Sequence, residues 1–139
     1  MSAVDARYPL FDHVRDQVRP ASGRPLDEIT AEAAAQGELT MADLQISAET
    51  LHAQAEVARA AGYPGLAENL TRAAELTAVP NAEVLKMYSQ LRPGRSTAAD
   101  LEALAAGLEN DYHAPACARL VREAAEAYRL RGLLRLGSA

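Results

Sequence analysis

Proline and glycine interrupt this chain at positions that bound helical segments. Pro64, Pro80 and Pro115 each stand where a helix is expected to begin, because the amide hydrogens of a first helical turn have no partner within the helix and proline lacks one. Gly62 and Gly94 stand where a preceding helix is expected to end. No alternating apolar runs bounded by turns compete with this pattern. The sequence therefore predicts an all-α fold.

Apolar residues recur at steps of three and four within these segments, which is the spacing of one face of a helix. The segments with this spacing are 48–61, 64–77, 81–91, 97–112 and a C-terminal helix that begins at Pro115. Shorter helical turns are predicted after Thr30 and Thr40, because a threonine hydroxyl at the N-cap accepts a hydrogen bond from the first turn. We expect an open bundle of about five or six helices.

The same spacing predicts which residues of the long helices face inward. In chain order they are Leu51, Ala55, Ala58 and Ala61; Leu66, Leu70, Ala73, Ala74 and Thr77; Val84, Leu85, Tyr88 and Leu91; Leu101, Leu104, Ala105, Leu108 and Tyr112; and Cys117, Leu120, Val121, Ala124, Ala125 and Tyr128. Many are alanines, which bury little apolar area, so the core is expected to be thin. A thin core favours dependence on a partner surface, although alanine also follows simply from high helix propensity.

The N-terminal segment, residues 1–27, is predicted to be irregular, and residues 28–139 to be helical. The residues that break the segment are Pro9, Pro20, Gly23 and Pro25. Tyr8, Leu10 and Phe11 are apolar anchors within it. Such an arm either crosses its own domain or reaches onto another subunit, and the sequence leaves both alternatives open. Because 139 residues suit one domain, residues 1–139 are predicted to form a single domain.

Charge and cysteine content exclude several classes of protein. The net charge of −5 argues against a nucleic-acid-binding protein, which usually has a basic face. Cys117 is the only cysteine, so no internal disulfide forms and an intracellular chain is expected. The sequence shows neither a secretory signal nor the apolar stretch of about 20 residues that spans a bilayer. We expect a soluble, cytoplasmic protein.

The reactive residue types do not converge on a catalytic or metal site. His13, His52 and His113 are isolated, whereas a structural zinc site needs four ligands at short recurring spacings. Cys117 lies on an apolar helical stripe, where a buried, inert thiol is typical. Most carboxylates stand beside arginines at helical spacing, which is typical of solvated ion pairs. The arginine-rich C-terminal helix suggests an acidic partner or a membrane surface, but Glu123 and Glu126 dilute it and favour a solvated face.

The order of residues along nearly the whole chain resembles the small subunit of adenosylcobalamin-dependent diol and glycerol dehydratases. The resemblance is carried by Tyr8-Pro9-Leu10, Ser22-Gly23-Arg24-Pro25-Leu26, Asp43-Leu44, the run from Arg72 to Pro80, Leu91-Arg92-Pro93, Arg95-Ser96-Thr97 and the run from Val121 to Ala125. These motifs stand in order and at similar spacing throughout.

The resemblance implies a holoenzyme that is a dimer of heterotrimers of large, medium and small subunits. Adenosylcobalamin is implied to lie between the large and medium subunits, and the substrate to lie with a metal ion inside the large one. A radical formed by homolysis of the cobalt–carbon bond then converts a 1,2-diol or glycerol to an aldehyde with loss of water. The small subunit is implied to pack on the outside of the large subunit without supplying a catalytic, cobalamin or metal residue.

Some residues depart from the family pattern. Leu70, Gly94 and Leu120 stand where aromatic residues are common, Tyr63 stands where arginine is common, and Asn81 replaces the usual aspartate after a proline. Aromatic side chains often supply much of the energy of an interface, so the contact here is expected to be weaker or remodelled. The longer N-terminal extension typical of the diol type is absent, which resembles the shorter glycerol form.

Seven residues are predicted to contact a partner subunit. They match the family, lie outside the helices and are not explained by a helical core; they are Tyr8, Pro9, Leu10, Arg92, Pro93, Arg95 and Ser96. The alternative, that these residues only fix local turns, stays open. No catalytic, cofactor-binding or metal-binding residue is predicted.

The sequence thus predicts a non-catalytic small subunit whose partners are the large and medium dehydratase subunits, separate or fused, with no nucleic acid and no membrane. The alternative is a free-standing helical adaptor of the same ancestry that binds a reactivating or compartment-shell protein. An independent enzyme is disfavoured because the titratable residues do not converge. The sequence does not decide between glycerol and 1,2-propanediol, or whether the complex lies within a bacterial microcompartment.

Overall fold

A computed structural model describes residues 7–137, which contain eight α-helices and no strand. The helices are α1 (Leu10–His13), α2 (Ala31–Ala35), α3 (Met41–Leu44), α4 (Ala48–Ala60), α5 (Pro64–Leu76), α6 (Asn81–Gln90), α7 (Ala98–Asp111) and α8 (Pro115–Arg131). The all-α prediction is confirmed, and α4 to α8 are the five long helices predicted from the proline and glycine positions. The structure adds the short α1 and two 3-10 turns, Arg15–Gln17 and Leu26–Glu28, within or next to the arm that was predicted to be irregular.

Local signals set the ends of these helices. The hydroxyl of Thr30 accepts a hydrogen bond from the amide of Ala33 at 3.1 Å, as predicted for an N-cap. Thr40 and Thr97 each form the predicted capping box with the aspartate three residues later. At the other ends, Gly62 and Gly94 adopt positive φ angles of 86° and 77°, a conformation that favours glycine.

The chain divides into two compact units, Met1–Ala74 and Glu75–Ala139, of which residues 1–6 and 138–139 lie outside the described range. In the first unit, Leu10 and Val14 of the arm pack on Ala53 of α4. A second cluster joins α4 to α5 through alanine side chains, which allow the two helices to approach closely. The described part of the arm therefore lies across its own unit. The prediction of a single domain over residues 1–139 stays a prediction.

The second unit has the larger core. Helices α7 and α8 pack against each other, and Leu101 and Val121 are the largest side chains that they bury completely. Ala105 and Ala118 are fully buried in the same cluster. The cluster also takes in Met87 of α6, so α6 is held against the α7–α8 pair.

A carboxylate from α5 caps the first turn of α8. Ala114, the N-cap of α8, offers no side-chain acceptor, and Pro115 follows it at the first helical position. The carboxylate of Glu75 instead accepts hydrogen bonds from the amides of Ala116, at 2.9 Å, and Cys117, at 2.8 Å. A negative charge at this end also complements the partial positive charge of the helix terminus. The role of Glu75 is therefore structural.

The predicted inward face of α6 is wrong at two positions. Leu85 is 69% exposed and Tyr88 is 62% exposed, whereas Met87, which was not predicted to be inside, is buried. Val84 and Leu91 pack against the core as predicted. Helical spacing permits one stripe through Val84, Met87 and Leu91 and another through Tyr88, and packing selects the flexible methionine.

Four other residues predicted to face inward are exposed: Ala61, Leu66, Thr77 and Leu120. On α5 the helix buries Ala67 and Ala74, so its contact face is made of small residues and the larger Leu66 is left outside. Close approach of two backbones favours this choice, because an alanine leaves less space between helices than a leucine. The predicted core is confirmed at Leu51, Ala105 and Cys117, which are buried.

Removal of the Glu75 carboxylate should destabilise the second unit. In Glu75→Ala the amides of Ala116 and Cys117 lose their acceptor, so we expect the free energy of unfolding to fall by about 1–2 kcal/mol. Urea denaturation of the purified chain, followed by circular dichroism, measures this change. Glu123→Ala is the control, because Glu123 is exposed on α8. Equal stability of the two variants would contradict a capping role for Glu75.

Candidate interaction surfaces

Asp43 fastens the arm to α3. Its carboxylate is buried and accepts hydrogen bonds from the amide of Thr40 at 2.7 Å and from the Thr40 hydroxyl at 3.0 Å. Arg24 of the arm donates from Nε to the other carboxylate oxygen at 3.1 Å and from Nη2 to the carbonyl oxygen of Glu38 at 3.2 Å. The Ser22-Gly23-Arg24 motif therefore has a structural role within the first unit.

These contacts lower the pKa of Asp43 from 3.8 to about 2. The hydrogen bond from the Ser22 side chain is the largest cause, followed by the amide of Thr40, while the charge of Arg24 adds to the effect. Burial acts in the opposite direction and is outweighed. The carboxylate is thus held ionised as a structural anchor and is unsuited to proton transfer near neutral pH.

An apolar groove of about 700 Å³ lies in the first unit. Tyr8, Pro9 and Phe11 of the arm line one part of it, and residues of α4 and α5 with the intervening loop, including Tyr63 and Leu66, line the rest. We call this surface the arm groove. Tyr8 is 77% exposed, so most of its ring is available to another molecule. The groove suits apolar side chains, which gain free energy when they leave water.

The loop after α6 is held rigidly within the second unit. The Ser96 side chain is buried, and its hydroxyl donates to the carbonyl oxygen of Gln90 at 2.8 Å. The Tyr128 hydroxyl donates to the carbonyl oxygen of Leu91 at 2.5 Å. The amide of Gly94 donates to the carbonyl oxygen of Leu133 at 2.7 Å. These bonds fix the loop from both of its ends.

The structure places the seven predicted contact residues in two groups. Tyr8, Pro9 and Leu10 meet at the arm groove in the first unit, and residues 92–96 form the loop in the second unit. Five of the seven side chains are exposed: Tyr8, Pro9, Arg92, Pro93 and Arg95. Leu10 and Ser96 are buried, so they position their neighbours within each unit.

One exposed surface, on α6, was not predicted from the sequence. Leu85 and Tyr88 stand one turn apart on the exposed side of the helix, and Arg92 follows one turn later. Arg95 is exposed in the loop that follows, and its amide donates to the carbonyl oxygen of Arg92 at 3.2 Å. We call Leu85, Tyr88, Arg92 and Arg95 the α6 face. The sequence did contain a pattern that indicates this surface. A stripe through Val84, Met87 and Leu91 has the same helical spacing and would leave Tyr88 outside the core.

Ion pairs in the described part of the second unit link its helices. Arg122 bridges Glu102 and Glu109, with Nη-to-Oε distances of 3.0 and 2.9 Å. Its hydrogen bonds hold the pKa of Glu102 below its ordinary value. Asp100 bonds to Thr97 and to Arg135, and its pKa is lowered chiefly by the Thr97 amide. These carboxylates stabilise helix ends and helix contacts.

Among residues 7–137, no three histidine, cysteine, aspartate or glutamate side chains are grouped so as to hold a metal ion. The same residues include no helix that is long and apolar enough to cross a membrane.

The profile of the dehydratase small-subunit family matches residues 3–135. The chain belongs to this family, so it is a subunit of a dehydratase, which is a lyase. It is 47% identical over 121 residues to the propanediol dehydratase small subunit of Citrobacter freundii, a match that covers 87% of this chain and 70% of the relative. It is 46% identical over 127 residues to the protein of the same name from Salmonella typhimurium, covering 91% of this chain and 73% of the relative.

The family implies a cobalamin-dependent holoenzyme. Adenosylcobalamin carries a broad ring edged with polar amides, which require many hydrogen-bonding groups. The arm groove is lined mainly by apolar side chains and contains no imidazole. The cavity of about 390 Å³ between α6 and α7 is smaller and also lacks an imidazole. The residues that line these two cavities do not fit the cofactor.

The contribution of Asp43 to stability should depend on pH. Because its pKa is lower in the folded chain, about 2 against 3.8, its contribution is complete above the pKa of the unfolded chain and is lost as the pH falls through the folded value. We expect Asp43→Asn to lower the urea midpoint at neutral pH. The difference from the parent chain should shrink between about pH 5 and pH 2.

The matched control is Asp12→Asn, at an exposed aspartate of α1. Its urea midpoint should stay close to that of the parent chain at neutral pH. A difference between Asp43→Asn and the parent chain that is constant down to pH 2 would contradict the anchor role of the ionised carboxylate.

Proposed function

We propose that this chain is the non-catalytic small subunit of an adenosylcobalamin-dependent dehydratase that converts a 1,2-diol or glycerol to an aldehyde with loss of water. The observation that carries the proposal is the family match over residues 3–135. The names of the two relatives support a diol as the substrate. The structural roles of Glu75, Asp43 and Asp100 support a scaffold function for this chain.

The proposed partners are the large and medium dehydratase subunits, separate or fused. This chain covers apolar surface on the large subunit and holds that scaffold rigid, for which a stable interface buries about 1,200–2,000 Å². We propose Tyr8, Pro9, Arg92, Pro93 and Arg95 as contact residues, supported by their exposure. In the same proposal, Leu10 and Ser96 set the position of these contacts from within each unit.

The proposal assigns adenosylcobalamin and the metal ion to the larger subunits. The apolar lining of the arm groove supports this assignment. We also propose that the complex is cytoplasmic, including the interior of a bacterial microcompartment. Cys117 is buried and forms no disulfide, which is compatible with the reducing cytoplasm.

Co-expression of the candidate large and medium subunits, with this chain present or omitted, tests the proposal. We expect a co-purifying complex and adenosylcobalamin-dependent aldehyde formation only when this chain is present, because the large subunit needs its cover. Glycerol and 1,2-propanediol are assayed side by side, and the faster reaction identifies the preferred substrate.

The control is this chain alone with the cofactor and each substrate, for which no aldehyde is expected. Two results together would overturn the proposal. They are full activity of the larger subunits when this chain is omitted, and no co-purification of this chain with them when it is present. Aldehyde formation by the isolated chain would overturn its non-catalytic role.

A further inference from the structure

We propose that the α6 face (Leu85, Tyr88, Arg92 and Arg95) docks onto an apolar patch with an acidic rim on the large dehydratase subunit. The inference rests on the proposed function and deepens it by assigning the surface in the second unit that makes the contact. Three properties of the α6 face carry it: exposed apolar area, unpaired positive charge and rigidity.

The apolar centre of the face is formed by Leu85 and Tyr88. They are 69% and 62% exposed and lie on the same side of α6, one helical turn apart. A tyrosine brings a large contact area with a polar hydroxyl at its tip, and tyrosine and arginine are enriched among the residues that dominate binding energy. Arg92 continues the same row.

The charges around this centre are positive and lack partners within residues 7–137. Arg24, Arg122 and Arg129 each pair with a carboxylate of this chain. No ion pair or side-chain hydrogen bond joins Arg92 or Arg95 to another described residue. Segment 87–96 contains these two cations and no acidic residue, although the chain as a whole has a net charge of −5.

This charge pattern indicates which kind of surface the α6 face binds. Cations left unpaired in an acidic chain are satisfied best by carboxylates on another molecule, and complementary charge also accelerates association. A second copy of this chain is a poorer partner, because its α6 face would bring positive charge against positive charge. The proposed function makes the large subunit this other molecule, and its contact patch should be apolar at its centre and acidic at its rim.

The face is already held in its docking geometry. Met87 anchors α6 in the core from the opposite side. The Ser96 and Tyr128 hydroxyls hold the turn that carries Arg92 through bonds to the carbonyl oxygens of Gln90 and Leu91. A preorganised surface loses little conformational entropy on binding, which leaves more of the contact energy as affinity.

The test measures binding of full-length variants of this chain to the complex of large and medium subunits. Tyr88→Ala removes the aromatic centre, and Arg92→Glu reverses one rim charge. We expect each to raise Kd about tenfold or more. Affinity of the parent chain should fall as salt rises, and Arg92→Glu should flatten this dependence.

The matched controls lie on α8 in the same unit. Leu130→Ala removes an exposed leucine that is 70% accessible, and Arg131→Glu reverses an exposed arginine. Both should bind like the parent chain. Circular dichroism and thermal unfolding show whether each variant is folded. Hydrogen exchange of the parent chain tests the same surface without a mutation. The amides of residues 81–92 should exchange more slowly in the complex than in the free chain.

The outcomes separate this inference from the proposed function. If the parent chain does not bind the larger subunits, the proposed function fails. If the parent chain binds, but Tyr88→Ala and Arg92→Glu bind equally well, the assignment of the α6 face is overturned while the proposed function stands. Three other results would also overturn it. They are unchanged hydrogen exchange of residues 81–92 in the complex, self-association of this chain through the α6 face, and a loss of affinity that is seen only in Phe11→Ala, a variant of the arm groove.

Discussion

The second unit depends on the two hydrogen bonds that Glu75 accepts from the first turn of α8. Ala114 and Pro115 leave that turn without a local cap, so a carboxylate from the end of α5 supplies the missing acceptor. With its start fixed, α8 brings Val121 into the core that it shares with α7. The same core holds Met87 and thereby sets the orientation of α6. These two half-buried hydrogen bonds thus connect the start of the unit to its exposed face.

Acidic residues in this chain stabilise structure where an enzyme would use them for chemistry. Asp43 joins the arm to α3, Asp100 caps α7, and Glu102 bonds to Arg122. Each carboxyl pKa is lowered by hydrogen bonds to its ionised form, which is the opposite of the raised pKa that a general acid needs. The chain is better suited to present surfaces than to transfer protons, in agreement with its family.

The contact surfaces were predictable in part. Contact residues were predicted from positions that lie outside the helices and match the family. Two of them, Arg92 and Arg95, are exposed, whereas Ser96 is buried and its hydroxyl bonds to Gln90. Tyr88 was assigned to the core, although it lies outside. Sequence spacing identifies a helical stripe to within one neighbouring residue, and it contains no measure of which of two adjacent stripes meets another helix.

The sequence by itself determined the helices of this protein from α2 to α8. Caps such as Thr30 and Thr97, and glycines such as Gly62, act within one turn of chain, so their effect can be read from neighbouring residues. Only the tertiary structure decided which faces of those helices are buried. It also decided that Glu75 meets residues about forty positions away, because that contact depends on how the helices pack and not on any local preference.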